Sequence, residues 1–160
     1  MLSQFSGAIL DHRRQHRLLL WRYWDDRPRM LFVGLNPSTA NELEDDPTVV
    51  RLCGFALKWG YGGLYACNVF SQITPYPKEL LPETAIHSGD THVIKMAVEL
   101  TVLAVCGWGD GIEKAPHGRA RANTIKGYLR SPMCFGLTAK GHPKHPLYLP
   151  KGAALEALCG

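Results

Sequence analysis

Two amides and two histidines carry the strongest chemical potential in this 160-residue sequence. Asn36 stands in Gly34-Leu35-Asn36-Pro37-Ser38-Thr39-Ala40, directly after an apolar run. Gly34 permits a sharp turn and Pro37 fixes the chain direction. Asn36 then projects an amide able to orient a water or a substrate carbonyl. The same residues also suit a plain structural turn. Asn68 ends the apolar stretch Leu64-Tyr65-Ala66-Cys67, where a polar side chain is unexpected. Its one acceptor and two donors suit the edge of a nucleobase, or else loop backbone. His142 and His145 are each followed by proline in a loop with Lys140 and Lys144. Proline holds the preceding residue extended, so a rigid imidazole pair donating to an anion fits these neighbours. Surface histidines in a proline turn are the plainer alternative. In Glu44-Asp45-Asp46, Asp46 suits a helix cap. Asp45 is left as a general base, as an orienting partner for His142, or as part of a solvated acidic loop.

Other chemistries lack their parts. Gly107-Trp108-Gly109-Asp110-Gly111 is glycine-rich but is neither GxGxxG nor a P-loop. It reads as a close-packed turn whose amides face a ligand. There is no GxSxG elbow, no HExxH and no clear Cys–His nucleophile. The five cysteines show no CxxC pair, so they read as reduced core thiols and no metal or cofactor is expected. The net charge is +4, and its distribution says more. Residues 111–160 hold Lys114, Arg119, Arg121, Lys126, Arg130, Lys140, Lys144 and Lys151 against Glu113 and Glu156. A polyanion-binding face would need such a basic third; a solvated helix face would also look like this.

The elements that must position these groups follow from periodicity and punctuation. Residues 8–24 read as an amphipathic helix, with Ile9, Leu10, Leu18, Leu19, Leu20, Trp21 and Trp24 apolar and Arg13, Arg14, Arg17 and Arg22 basic. Met30–Leu35 is wholly apolar, as in a strand buried on both faces. Asp46-Pro47 starts a helix that Gly60 stops. Further strands are expected over 64–70, 101–106 and 133–137, and helices over 88–99 and 117–130. The alternation implies a single α/β domain over residues 1–160, with a core from about 30 to 149. Its architecture would be a three-layer α/β/α sandwich around a mainly parallel four-stranded sheet. Ligands of such sheets sit at the carboxyl ends of the strands, where these polar loops would lie. The first 17 residues have charge and apolar segment in the wrong order for a secretory signal, and no run approaches a membrane span. A cytoplasmic protein without membrane contact is expected.

The order of the loops resembles the uracil-DNA glycosylase superfamily. GLNPS at 34–38 is similar to its water-positioning motif, and LYACN at 64–68 to its base-reading strand. VCGWG at 105–109 is similar to its Trp-Gly strand end, and HPKHPL at 142–147 to its HPSPL-type loop, with one residue more. The sequence is also similar to a family of uncharacterised bacterial and phage proteins carrying GLNPSxA, DDPT, WGYGG and GHPxHPLYL. The first resemblance implies a glycosylase-like fold and cleavage of a base–sugar bond in DNA or a nucleotide, after the base flips out.

In that reading Asn36 and Asp45 place the water, and His142 or His145 stabilises the departing base. Asn68 reads the base, and Phe70 or Trp108 stacks on it. Gly34, Pro37, Ser38 and Lys140 complete the substrate site. Arg119, Arg121 and Lys144 hold phosphates, and Leu147 or Tyr148 wedges the duplex. Asn at 36, where some branches have Asp, cannot take a proton. That keeps open a non-catalytic reader of a modified base and a nucleotide-modifying transferase.

Overall fold

The computed structural model describes residues 5–159, so the first four residues of the N-terminal stretch read above lie outside it. The described chain is an α/β fold on one mixed sheet. In chain order the strands are β1 (Phe5–Leu10), β2 (Arg17–Tyr23), β3 (Arg29–Gly34), β4 (Gly63–Asn68), β5 (Leu103–Cys106), β6 (Met133–Cys134) and β7 (Glu156–Ala157). The helices are α1 (Pro47–Lys58), α2 (Pro82–Ala85), α3 (Asp90–Glu99) and α4 (Gly118–Lys126). The spatial order is β1-β2-β4-β3-β5-β6-β7. The central strands β4, β3, β5 and β6 are parallel, and the outer pairings β1–β2, β2–β4 and β6–β7 are antiparallel. The expected four strands are thus the middle of a seven-stranded sheet.

The expected helix over 8–24 is instead the β1–β2 hairpin. Leu18, Leu19 and Leu20 are all buried because β2 lies inside the sheet, where both faces are covered. A continuous apolar run then mimics a wide helical face. The turn is built by Asp11, whose Oδ1 accepts from the amides of Gln15 and His16 at 2.8 Å each. Arg14 takes a left-handed φ of 55° there. Gly7 opposes Trp21, and a Cβ at Gly7 would stand 2.2 Å from the indole.

Elsewhere the punctuation acts as expected. Asp46 caps α1, its Oδ1 accepting from the Val49 amide at 2.8 Å, with Pro47 in the first turn. Gly60, at φ +84°, turns the chain after it. On β3, Met30 and Phe32 pack toward α1 with Leu52 and Phe55. Leu31 and Val33 pack toward the other face, with Val93 and Ile94 of α3 and Ala122 and Ile125 of α4. Helices therefore cover both faces. The chain leaves β3 for β4 on one side, then returns past β3 to β5 on the other. Right-handed crossovers in opposite directions put α1 and α3 on opposite faces. The crevice of such a sheet opens where the direction reverses, at the carboxyl ends of β3 and β5. β6 stops at Cys134, short of the expected 137, and Gly136 turns away at φ +101°. The basic helix α4 ends at Lys126 rather than 130. No described helix is long and apolar enough to cross a membrane.

Candidate functional site

Three strand ends meet beside one cleft. The register pairs Gly34 with Asn68. The Val69 amide donates to the Gly34 carbonyl at 2.9 Å, and the Gly107 amide to that of Val33 at 2.9 Å. The cleft, about 340 Å³, is lined by Gly34, Asn36, Ser38, Asn68, Trp108 and His145, all singled out in the sequence. Phe32, Arg17, Asp46 and Thr48 line it as well.

The glycines let the loops close in. A Cβ on Gly34 would stand 2.8 Å from Asn68 Oδ1, and one on Gly107 would stand 2.7 Å from the Phe32 ring and 3.1 Å from the Lys144 carbonyl. Gly109, at φ +66°, donates to the Pro143 carbonyl at 2.8 Å. The Gly-Trp-Gly segment therefore brings the 142–145 loop up to the strand tips, which a side chain at Gly107 would push away.

The two amides differ. Asn36 Nδ2 donates to the Thr74 carbonyl at 2.7 Å and to those of Gln72 and Pro37 at 3.2 Å. Its nitrogen thus ties down the 72–74 loop, and its oxygen is the end left for a ligand or water. Asn68 Nδ2 is buried with no hydrogen-bond partner. A buried amide hydrogen without an acceptor is costly, so Asn68 holds an unused donor at the cleft.

The two histidines separate. His145 lines the cleft, and its Nδ1 accepts from the Leu147 amide at 3.2 Å. The proton of the neutral ring then sits on Nε2, which makes Nε2 a donor. Burial pushes the His145 pKa down, against a smaller opposing pull from Asp46, so the neutral ring is favoured. His142 turns away. Its Nε2 lies 2.5 Å from Glu113 Oε1, a carboxylate also bound by Arg119. Those two contacts, Arg119 first, pull the Glu113 carboxyl down to about 2. His142 lines a second hollow, beyond Trp108, with Arg119, Lys126 and Lys140.

Several residues stand elsewhere than the sequence reading put them. Asp45 is not at the cleft: its Oδ1 accepts from Arg22 Nε at 2.7 Å, and Arg22 is fully buried. Phe70 is in the core at 0% exposure, so the aromatic rings at the cleft are Phe32 and Trp108. Pro37 is buried and absent from the lining. Arg121 Nε donates to the Val69 carbonyl at 3.1 Å, a contact that braces the turn after β4. Arg119, Lys140, Lys144 and Tyr148 are exposed, and Leu147 is half-buried. Among the described residues no three His, Cys, Asp or Glu gather as a metal site would require.

Sequence reasoning missed Arg17 and Phe32 at the cleft. The helix reading placed Arg17 on a solvated face. Read as a strand, an arginine heading the run Leu18–Trp21 would have marked a buried cation.

No curated protein and no solved structure matches the chain. Residues 17–147, which include every lining residue of the cleft, match the family described as "Protein of unknown function (DUF1643)". By that match the chain belongs to the DUF1643 family.

Proposed function

We propose that the cleft holds a nucleobase and that the protein cleaves the bond between that base and its sugar, in DNA or in a nucleotide, on a glycosylase-like scaffold. The observation that carries this reading is the buried, unpartnered Nδ2 of Asn68 in the same cleft as His145 and Asn36. A base entering between the strand tips meets the rings of Phe32 and Trp108. Asn68 Nδ2 donates to an acceptor on the base edge. As the C1′–N bond breaks, its electron pair goes to the base and positive charge develops on the sugar. The Nε2–H of His145 donates to the base oxygen where negative charge collects, a role that a neutral imidazole can fill.

Water then adds to the sugar. Asn36 Oδ1 accepts one of its hydrogens and orients it, and the released proton passes to solvent, from which the departing base anion takes one up. The products are the free base and a sugar hydroxyl. The two acids singled out in the sequence are engaged, Asp45 by Arg22 and Asp46 by the amides of Val49 and Ala40, and Asp110 of the lining accepts from the Thr138 hydroxyl. The chemistry therefore relies on bond breaking running ahead of attack. Arg119, Lys140 and Lys144 supply exposed cations for phosphates, and Tyr148, 91% exposed, is the side chain free to wedge a duplex.

The engagement of these acids also favours a second reading, a binder that reads a modified base without cutting it. Mass spectrometry of oligonucleotides carrying varied lesions and phage-type modifications separates the two. Free base with an abasic site supports cleavage. Tight binding without products supports the reader. A new adduct would point to a transferase, and neither binding nor product overturns the base pocket.

A further inference from the structure

β2 carries two buried arginines with different surroundings. Arg22 is saturated. Its Nε donates to Asp45, its Nη1 to the carbonyls of Trp21 and Gly7, and its Nη2 to those of Asn41 and Glu44. Arg17 is 5% exposed, yet its guanidinium makes one hydrogen bond, from Nη1 to the Ala40 carbonyl at 2.9 Å. Its Nε is buried without a partner, and it forms no ion pair among the described residues. Arg17 lines the cleft beside Asn68.

A guanidinium offers five donors and no acceptor, and a buried charge is costly unless paired. Desolvation lowers the Arg17 pKa to about 10, with Asp46 pulling the other way. That acid does not satisfy the guanidinium. Its oxygens are turned to the amides of Val49 and Ala40, where its charge offsets the positive N-terminus of α1. Asp110, the other acid of the lining, is exposed and accepts from the Thr138 hydroxyl at 2.6 Å. The donors that the lining residues hold are thus those of Arg17, Asn68 Nδ2 and His145 Nε2, and the cation among them makes no ion pair among the described residues.

We infer that the ligand carries a negative charge, and that Arg17 is the specificity-determining residue that pairs with it: the cleft takes a base bearing an anionic substituent such as a carboxylate. This rests on the cleft being a base pocket. A neutral base would leave the Arg17 donors as they are, whereas a ring carboxylate takes up two of them in the fork geometry that arginine favours.

The test is calorimetric titration of the intact chain with 5-carboxyuracil, with the uncharged 5-carboxamide of the same shape, and with benzoate. The expected result is that wild type binds the carboxylate at least tenfold tighter than the carboxamide. In Arg17→Gln that preference should shrink to under twofold. Equal affinity of wild type for the two bases overturns the inference and leaves the base pocket standing. This comparison needs no variant, so misfolding of Arg17→Gln would not obscure it. Arg17-dependent binding of benzoate alone overturns the base pocket while keeping the anion site. Binding of none of the three overturns both.

Discussion

Removing the Asp45 side chain separates a structural role from a chemical one. Arg22 is fully buried and Asp45 is 15% exposed, with Nε and Oδ1 at 2.7 Å. Deleting one partner of a buried ion pair costs about 3–5 kcal/mol, because the other charge stays behind unpaired. Two features place Asp45→Ala near the low end. The carboxylate is partly solvated, and Arg22 keeps four carbonyl acceptors. A loss of about 3 kcal/mol in a chain of this size lowers the melting temperature by roughly 6–12 °C. Asp45→Asn keeps an oxygen acceptor but not the charge, so its cost should be about 1–2 kcal/mol. Calorimetric melts of wild type and both variants read these shifts directly. Base binding well below the melting transition should match wild type per folded molecule in both. A variant with unchanged melting temperature and abolished ligand turnover would refute this reasoning and return Asp45 to the chemistry.

Other expectations follow from the same geometry. Asn68→Ala should weaken discrimination between bases by roughly 10- to 100-fold, the worth of a good edge contact, while salt-dependent binding to the phosphate backbone persists; competition binding with oligonucleotides measures both. His145→Gln should reduce base release far more than His142→Gln in a single-turnover assay, because only His145 lines the cleft. Since burial depresses the His145 pKa, the unfolded chain takes up its proton first as pH falls through about 6.5. Stability should therefore fall with pH from about 7 downward, and His145→Gln should flatten that slope in thermal melts. Burial raises the thiol pKa of Cys53 and Cys67 to about 12 and that of Cys106 higher still, whereas Cys159 is exposed. Thiol labelling of the folded protein should be fast at Cys159, with the buried Cys67, Cys106 and Cys134 reacting only on unfolding.

The elements around the cleft differ in how far local sequence determines them. β3 and α1 are set by local chemistry: a doubly buried strand has to be apolar throughout, and Asp46-Pro47 can cap a helix on its own. The β1–β2 hairpin is set by tertiary context. Leu18–Trp21 is apolar because sheet neighbours and helices surround it, a pattern that a helix face also satisfies, and the decisive residue, Asp11, acts through amides four and five positions on. The loop tips were legible as a group, because polar residues at the ends of buried strands have few other uses. Their division of labour was not. The choice between His142 and His145 depends on Glu113 and Arg119, which capture the first, and the fate of Asp45 depends on Arg22, which lay hidden in the misread helix. Arg17 was lost for the same reason.

The central claim is that the strand-tip cleft receives the base. A crystal of the protein soaked with a base-containing ligand would test it most directly. The account predicts density for a planar ring beside Phe32 and Trp108, with an acceptor within about 3 Å of Asn68 Nδ2 and His145 Nε2 facing the ring. A ring seated in the hollow of His142 and Lys140, with the Asn68 amide still unpartnered, would contradict it.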